Sequence, residues 1–225
     1  MIQFGCLPIL IFLVLLFLFP FLFGQLMVSA LVKLRIEPQT ALILVIGIFI
    51  GSAVNIPIKR ILRHEDVVYH PMPLFGMGRF WSRAPQVRRE TVIAVNAGGC
   101  LIPAGVAIYE ISQLMARGIS SLIVLGICVL INTAVCYRLA RPIQGVGIAM
   151  PAFIPPMVAA GSALLLAGGD ATPVAFVAGV MGPLLGADLL HLRDIPKIST
   201  GLASIGGAGT FDGIVLSGIL AAYLA

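Results

Sequence analysis

Seven apolar runs, each close to the length of a membrane span, divide this chain, and no water-soluble fold buries that many. A bilayer core about 30 Å thick takes about 20 apolar residues per helix, so each run is read as a candidate span. They cover approximately residues 6–30, 39–58, 91–115, 119–138, 147–168, 172–190 and 205–225. Lipid offers no partner to unpaired backbone groups. The expected fold class is therefore all-α: a polytopic transmembrane helix bundle of about seven spans, with helices broken by glycine and proline. The breaks fall at Pro20, at Gly98-Gly99 with Pro103, and at Pro151 with Pro155-Pro156. Backbone groups freed there need partners in protein or in a wet cavity, which points to a lumen or a site.

Hydrophobic residues fill 60% of the 225 positions and charged ones only 10%, against about a quarter charged in ordinary soluble domains. The net charge of +5 is confined to short connections between apolar runs. That distribution excludes a nucleic-acid partner and makes the lipid bilayer the expected one. Cys6, Cys100, Cys128 and Cys136 lie in or beside apolar segments without the paired spacing of a zinc site or disulfide framework. They read as small buried hydrophobes, and neither metal nor cofactor is expected. Residues 7–23 resemble a signal-peptide core, and Val28-Ser29-Ala30 loosely imitates a cleavage site. No positive charge precedes that core and the run is long, so a retained first span is expected.

If the spans alternate, Lys59, Arg60, Arg63, Arg79, Arg83, Arg88, Arg89, Arg138, Arg141, Arg193 and Lys197 collect on one side, leaving Lys33, Arg35 and Arg117 on the other. Basic loops stay in the cytoplasm. This predicts a cytoplasmic amino terminus, an outside carboxyl terminus, and a single integral membrane domain over residues 1–225. The sizeable polar stretch, about 59–90, is a basic cytoplasmic loop whose Tyr69, Phe75, Phe80 and Trp81 suit anionic headgroups or a docking partner. His64 and His70 within it lack a third strong ligand at helical spacing, so they are not read as a metal site. A short internal echo links Val54-Asn55-Ile56-Pro57 with Val95-Asn96 and Ile102-Pro103. It suggests paired broken helices, as in transporters built from repeats.

Of the nine acidic residues, Glu110, Asp188 and Asp212 fall inside expected spans. An acid near the bilayer centre costs about 2.5–3.5 kcal/mol on insertion scales, which makes each a functional candidate. Glu110 lies near the outer end of its span and reads as a solvated or helix-pairing residue. Asp188 closes span six in Gly186-Ala187-Asp188, and Asp212 opens span seven after Gly206-Gly207-Ala208-Gly209-Thr210-Phe211. Successive spans run in opposite directions, so the two acids share the cytoplasmic side. Two carboxylates in a low dielectric do not both ionise easily, which places a proton donor beside a base. Such a pair suits peptide hydrolysis or proton and cation movement. The structural alternative is that Asp212 or Thr210 caps the last helix and Asp188 is a helix-end acid pairing with Arg193 or Lys197. Gly207 and Gly209 allow close backbone approach or an unwound helix start in either case.

Gly206 to Gly213, with Gly51-Ser52 to Asn55-Ile56-Pro57 and Gly186-Ala187-Asp188, resembles a family of bacterial and archaeal multispan membrane proteins catalogued only as a domain of unknown function. That likeness implies shared architecture and a prokaryotic cytoplasmic membrane. Asp188 with Ile195-Pro196, and the run from Gly207 to Asp212, are also similar to motifs of intramembrane aspartyl proteases, the presenilin, signal-peptide-peptidase and prepilin-peptidase group. This second likeness implies Asp188 and Asp212 as a catalytic pair acting on a membrane protein or peptide. The same acids would equally serve a proton- or ion-coupled transporter, with a polar path along Asn55, Asn96, Asn132 and Glu110. A noncatalytic subunit that packs through its glycine-rich helices is the third expectation.

Overall fold

The computed structural model describes residues 7–65, 87–144, 147–197 and 200–225. Cys6, His70 and the loop aromatics Tyr69, Phe75, Phe80 and Trp81 lie outside the described residues, and the proposed use of the 59–90 loop lies outside them too.

Seven α-helices carry most of the chain: α1 (Leu7–Lys33), α2 (Pro38–Gly51), α3 (Ile102–Arg117), α4 (Ile119–Leu139), α5 (Ile154–Leu166), α6 (Ala171–Gly182) and α7 (Gly213–Leu224). Four helical stretches are long and apolar enough to cross a membrane: Phe12–Lys33, Ala97–Arg117, Ile119–Leu139 and Gly168–Pro196. The other three are short, with α7 only 12 residues. At a rise of about 1.5 Å per residue it reaches about 18 Å, well under the hydrocarbon thickness of about 30 Å. Where about seven spans are expected, the described residues hold four helical stretches of spanning length and three shorter apolar helices.

The chain is mostly helical as expected, but strands occupy one end of several apolar runs. They are β1 (Asn55–Glu65), β2 (Val87–Asn96), β3 (Arg141–Ile143), β4 (Gly147–Ala149) and β5 (Leu202–Ile205). β1 pairs antiparallel with β2 and β2 parallel with β5, giving the order β1-β2-β5, while β3 and β4 form a separate hairpin. The cause is local chemistry. Thr91-Val92-Ile93-Ala94-Val95 is rich in β-branched residues that favour strands, and hydropathy alone does not separate a buried strand from a helix. Pro57 sits on the edge strand β1 beside a register shift, where a missing N–H is tolerated. Pro155 and Pro156 start α5 in its first turn, where their ring geometry and lack of donors suit a helix beginning. The sequence echo has the same origin: Asn55 faces Asn96 and Ile56 faces Val95 across the antiparallel pair, so it marks two strands and not paired broken helices.

The helix ends sort into two groups. Lys33 Nζ donates to the Tyr223 carbonyl at 2.7 Å, and Arg117 forms an ion pair with Asp170, which also accepts from Ser121 Oγ at 2.8 Å. These contacts gather the carboxyl ends of α1, α3 and α7 with the approach to α6. At the opposite end the backbone closes on itself through glycine. A Cβ at Gly98 would run into the carbonyl oxygen of Ile48, one at Gly99 into that of Gly206, and one at Gly209 into the Ser52 side chain. The end of α2, the π-helical segment Ala97–Leu101 that leads into α3, and the turn before α7 therefore meet at one junction. Buried Leu31, Leu114, Val174, Val177, Val180, Ile214 and Val215 fill the core behind it.

Replacing Gly99 with Ala forces these backbones apart and should cost about 3 kcal/mol or more. Gly126→Ala in α4, where a Cβ meets nothing within 4 Å, should be neutral or stabilising by up to about 1 kcal/mol. Thermal unfolding of both variants in detergent checks the contrast.

Candidate functional site

Asn96 organises the site. It ends β2 fully buried, and its Oδ1 accepts the Gly99 N–H at 2.7 Å, capping the π-helical segment. Its Nδ2 donates to the Ser52 carbonyl at 2.8 Å and to Asn55 Oδ1 at 3.1 Å. Asn55 Oδ1 in turn accepts from Ser204 Oγ of β5 at 2.6 Å. Ser52 Oγ lies 2.6 Å from the Ile48 carbonyl and 2.8 Å from Thr210 Oγ1. One buried amide thus ties the end of α2 to the start of α3, and two hydroxyls extend the tie to the loop before α7. A buried amide with every polar atom engaged fixes geometry, since any other arrangement leaves a donor or acceptor orphaned.

The two acids hang from this frame. Asp188 lies in the π-helical segment Pro183–Leu189 that ends the α6 rod, and its Oδ2 accepts the Gly206 N–H at 3.4 Å. Helical segments with such wide turns concentrate where a helix must re-aim a side chain. Asp212 caps α7: its Oδ1 accepts the Ile214 N–H at 3.0 Å and its Oδ2 the Ala208 N–H at 3.2 Å. Its expected structural role as a helix cap is therefore realised. Gly206 and Gly209 adopt φ of 70° and 64°, left-handed values that suit glycine, and this turn aims the Gly206 and Ala208 amides at the two acids.

Asp188 and Asp212 open into one cavity of about 360 Å³. It is lined by Leu202 to Ile205 of β5, by Gly147-Ile148 of β4, and by Asn55 and Gly207. The structure thus brings together Asp188, Asp212, Asn55 and Gly207. Gly209 packs behind them against Ser52, and Asn96 is the buried junction, not part of the cavity wall. Two expected path residues lie elsewhere. Asn132 of α4 is buried and donates to the Ala178 carbonyl at 2.8 Å, so it is a helix-packing residue. Glu110 is 2% exposed on the core face of α3, which corrects the solvated reading. Cys100, Cys128 and Cys136 are free and buried, as expected. Among the described residues no group of three or more His, Cys, Asp or Glu gathers at a metal-binding distance.

Sequence reasoning passed over Ser204 and the edge strand β5, where the Leu202 carbonyl accepts from Thr200 Oγ1 at 2.8 Å and the Ser204 carbonyl from the Gly207 N–H at 3.0 Å. The parallel register sets Val92 opposite Leu202 and Ala94 opposite Ser204, with the Val92 N–H donating to the Gly201 carbonyl at 3.0 Å. In such a ladder Ala203 and Ile205 turn their N–H groups to β2, and Leu202 and Ser204 turn theirs to the unpaired side. Leu202 to Ile205 also line the cavity. The signal lay in the β-branched content of 91–95, which called for a strand and hence for strand neighbours.

A family model described as a protein of unknown function (DUF1614) matches residues 49–224. No curated protein and no solved structure matches the chain. Asn96→Ala should destabilise the protein by about 2–3 kcal/mol, because it strands the Gly99 N–H and removes the donor shared by Ser52 and Asn55. Chemical unfolding in detergent checks this, with the exposed Asn55→Ala as the milder reference.

Proposed function

The chain belongs to that family, and we propose that it is an intramembrane aspartic protease whose acid pair, Asp188 and Asp212, cuts an extended peptide segment. The observation that carries this reading is that β5, an edge strand of its sheet among the described residues, lines the cavity that holds both acids. An exposed edge offers main-chain donors to an incoming strand, which gives affinity without demanding a side-chain sequence. A scissile bond held along β5 would lie within reach of both carboxylates. One acid, ionised, takes a proton from water as the water oxygen bonds to the scissile carbonyl carbon. The other, protonated, donates its hydrogen to the carbonyl oxygen. The resulting gem-diol collapses as the acid that took the water proton passes it to the amide nitrogen and the other carboxylate takes back a hydroxyl proton, so that the C–N bond breaks to give acid and amine and the pair returns to its starting state.

Main-chain capture of this kind suits a membrane substrate, because a transmembrane helix must unwind before its peptide bonds become available to water. Three short helices support it further: α2, α5 and α7 leave non-helical backbone around the cavity at a depth where lipid would otherwise stand, a placement tolerated only beside protein or water. The same broken helices favour a second reading, a proton- or cation-coupled transporter that loads and releases Asp188 or Asp212. Positive-inside partition supports a cytoplasm-facing cavity in a prokaryotic cytoplasmic membrane under both readings.

Asp188→Asn and Asp212→Asn should each lower cleavage of a reconstituted membrane-peptide substrate at least about a hundredfold. Ser204→Pro removes an outward N–H that the sheet does not use, so it should fold and cut poorly, while Ser204→Ala should cut well. Cleavage that survives both asparagine variants overturns the protease; solute flux that both variants abolish instead favours the transporter. A reporter fused after Ala225 checks the orientation: alkaline phosphatase should be active there and green fluorescent protein dark.

A further inference from the structure

Glu110 stands apart from everything the acid cavity uses. It lies on the core face of α3 with Val106, Ala107 and Leu114, about 10 Å of helix from Arg117, and it is 2% exposed. Its Oε1 is buried with no hydrogen-bond partner among the described residues. Among the described residues it forms no ion pair; Arg35 and Glu37, on the connection into α2, line a pocket with Val106 and Tyr109 of α3. Arg117, the basic residue of its own helix, is held by Asp170.

The elements packed on α3 supply little else. α2 and α6 contain no titratable side chain, and Asp170, just before α6, is the partner of Arg117. α4 carries Cys128 near its middle and Cys136, Tyr137 and Arg138 near its end, α7 only Tyr223 in its last turn, and the π-helical segment before α3 only Cys100. Tyr109 on α3 is itself half-exposed. An ionised carboxylate in such surroundings would be an uncompensated charge inside a hydrophobic bundle, costing several kcal/mol, and a protonated one avoids that cost. Packing does not explain the residue either, since leucine or glutamine would fill this position without an acid.

We propose that Glu110 is a proton-binding site, carried as a neutral carboxylic acid in the half of the bundle away from Asp188 and Asp212. Its ligand is the proton, and it is a separate site from the cavity, so it stands whether or not the protein cuts peptides. A neutral acid in an apolar setting has a characteristic chemistry. It adds to a hydrophobic carbodiimide: the acid proton goes to one carbodiimide nitrogen, the carboxyl oxygen bonds to the central carbon, and acyl migration leaves a stable N-acylurea with no other reactant.

The test uses the full chain in proteoliposomes at neutral pH. The infrared difference spectrum of wild type minus Glu110→Gln should show a protonated carboxylic carbonyl band that shifts on transfer to D2O. Carboxylate bands in its place overturn the proposal. Should Glu110→Gln fail to fold, wild-type protein treated with dicyclohexylcarbodiimide and mapped by mass spectrometry decides the matter. Glu110 is expected to carry the adduct at least tenfold more than the exposed Glu37 and Glu90, and equal or weaker labelling of Glu110 overturns it.

Discussion

Gly98, Gly99, Gly206 and Gly209 bring three stretches of backbone closer than any side chain permits, and the rest of the site depends on that approach. A Cβ at any of these positions meets main chain or a β-carbon, neither of which moves aside cheaply. With the backbones in contact, Asn96 spans the gap between them with three hydrogen bonds, and Ser52, Thr210 and Ser204 complete the tie. The turn that results presents two amides, one to each aspartate. Acid placement is therefore a product of glycine packing more than of any direct contact between the acids.

The same junction explains why three helices are short. α2 ends and α7 begins at it, and α5 starts at a proline pair close to the β3–β4 hairpin that forms the far wall of the cavity. Irregular backbone within a membrane needs enclosure by protein or access to water. The polar slot and the shortened helices are two descriptions of one event. A sheet beside the slot supplies the missing hydrogen bonds, because strands β2 and β5 satisfy each other where no helix continues.

Much of this was legible from residue order. The long helical stretches Phe12–Lys33, Ala97–Arg117, Ile119–Leu139 and Gly168–Pro196 follow from apolar length, and alternation alone put Asp188 and Asp212 at the same end of the bundle. The strands were not legible as such, because Thr91 to Val95 is as apolar as a helix and differs from one only in branching at Cβ. The Asn55–Asn96 echo contained the pairing but not its direction, since a repeated pattern is equally compatible with two half-helices. Glu110 was misplaced by counting residues from the helix end; the spacing of Pro103, Val106, Glu110 and Leu114 puts it on the buried stripe of α3. Ser204 acquires its role only from register with β2, which no local pattern encodes.

That the two acids work as one pair in a single aqueous slot is the central claim, and cross-linking measures it most directly. In a background without native cysteines, Asp188→Cys and Asp212→Cys are combined and treated in membranes with a short bis-thiosulfonate reagent added in water. The account predicts that both thiols react and are bridged within one chain. Separate modification of the two thiols without a bridge, or failure of either to react, would contradict it.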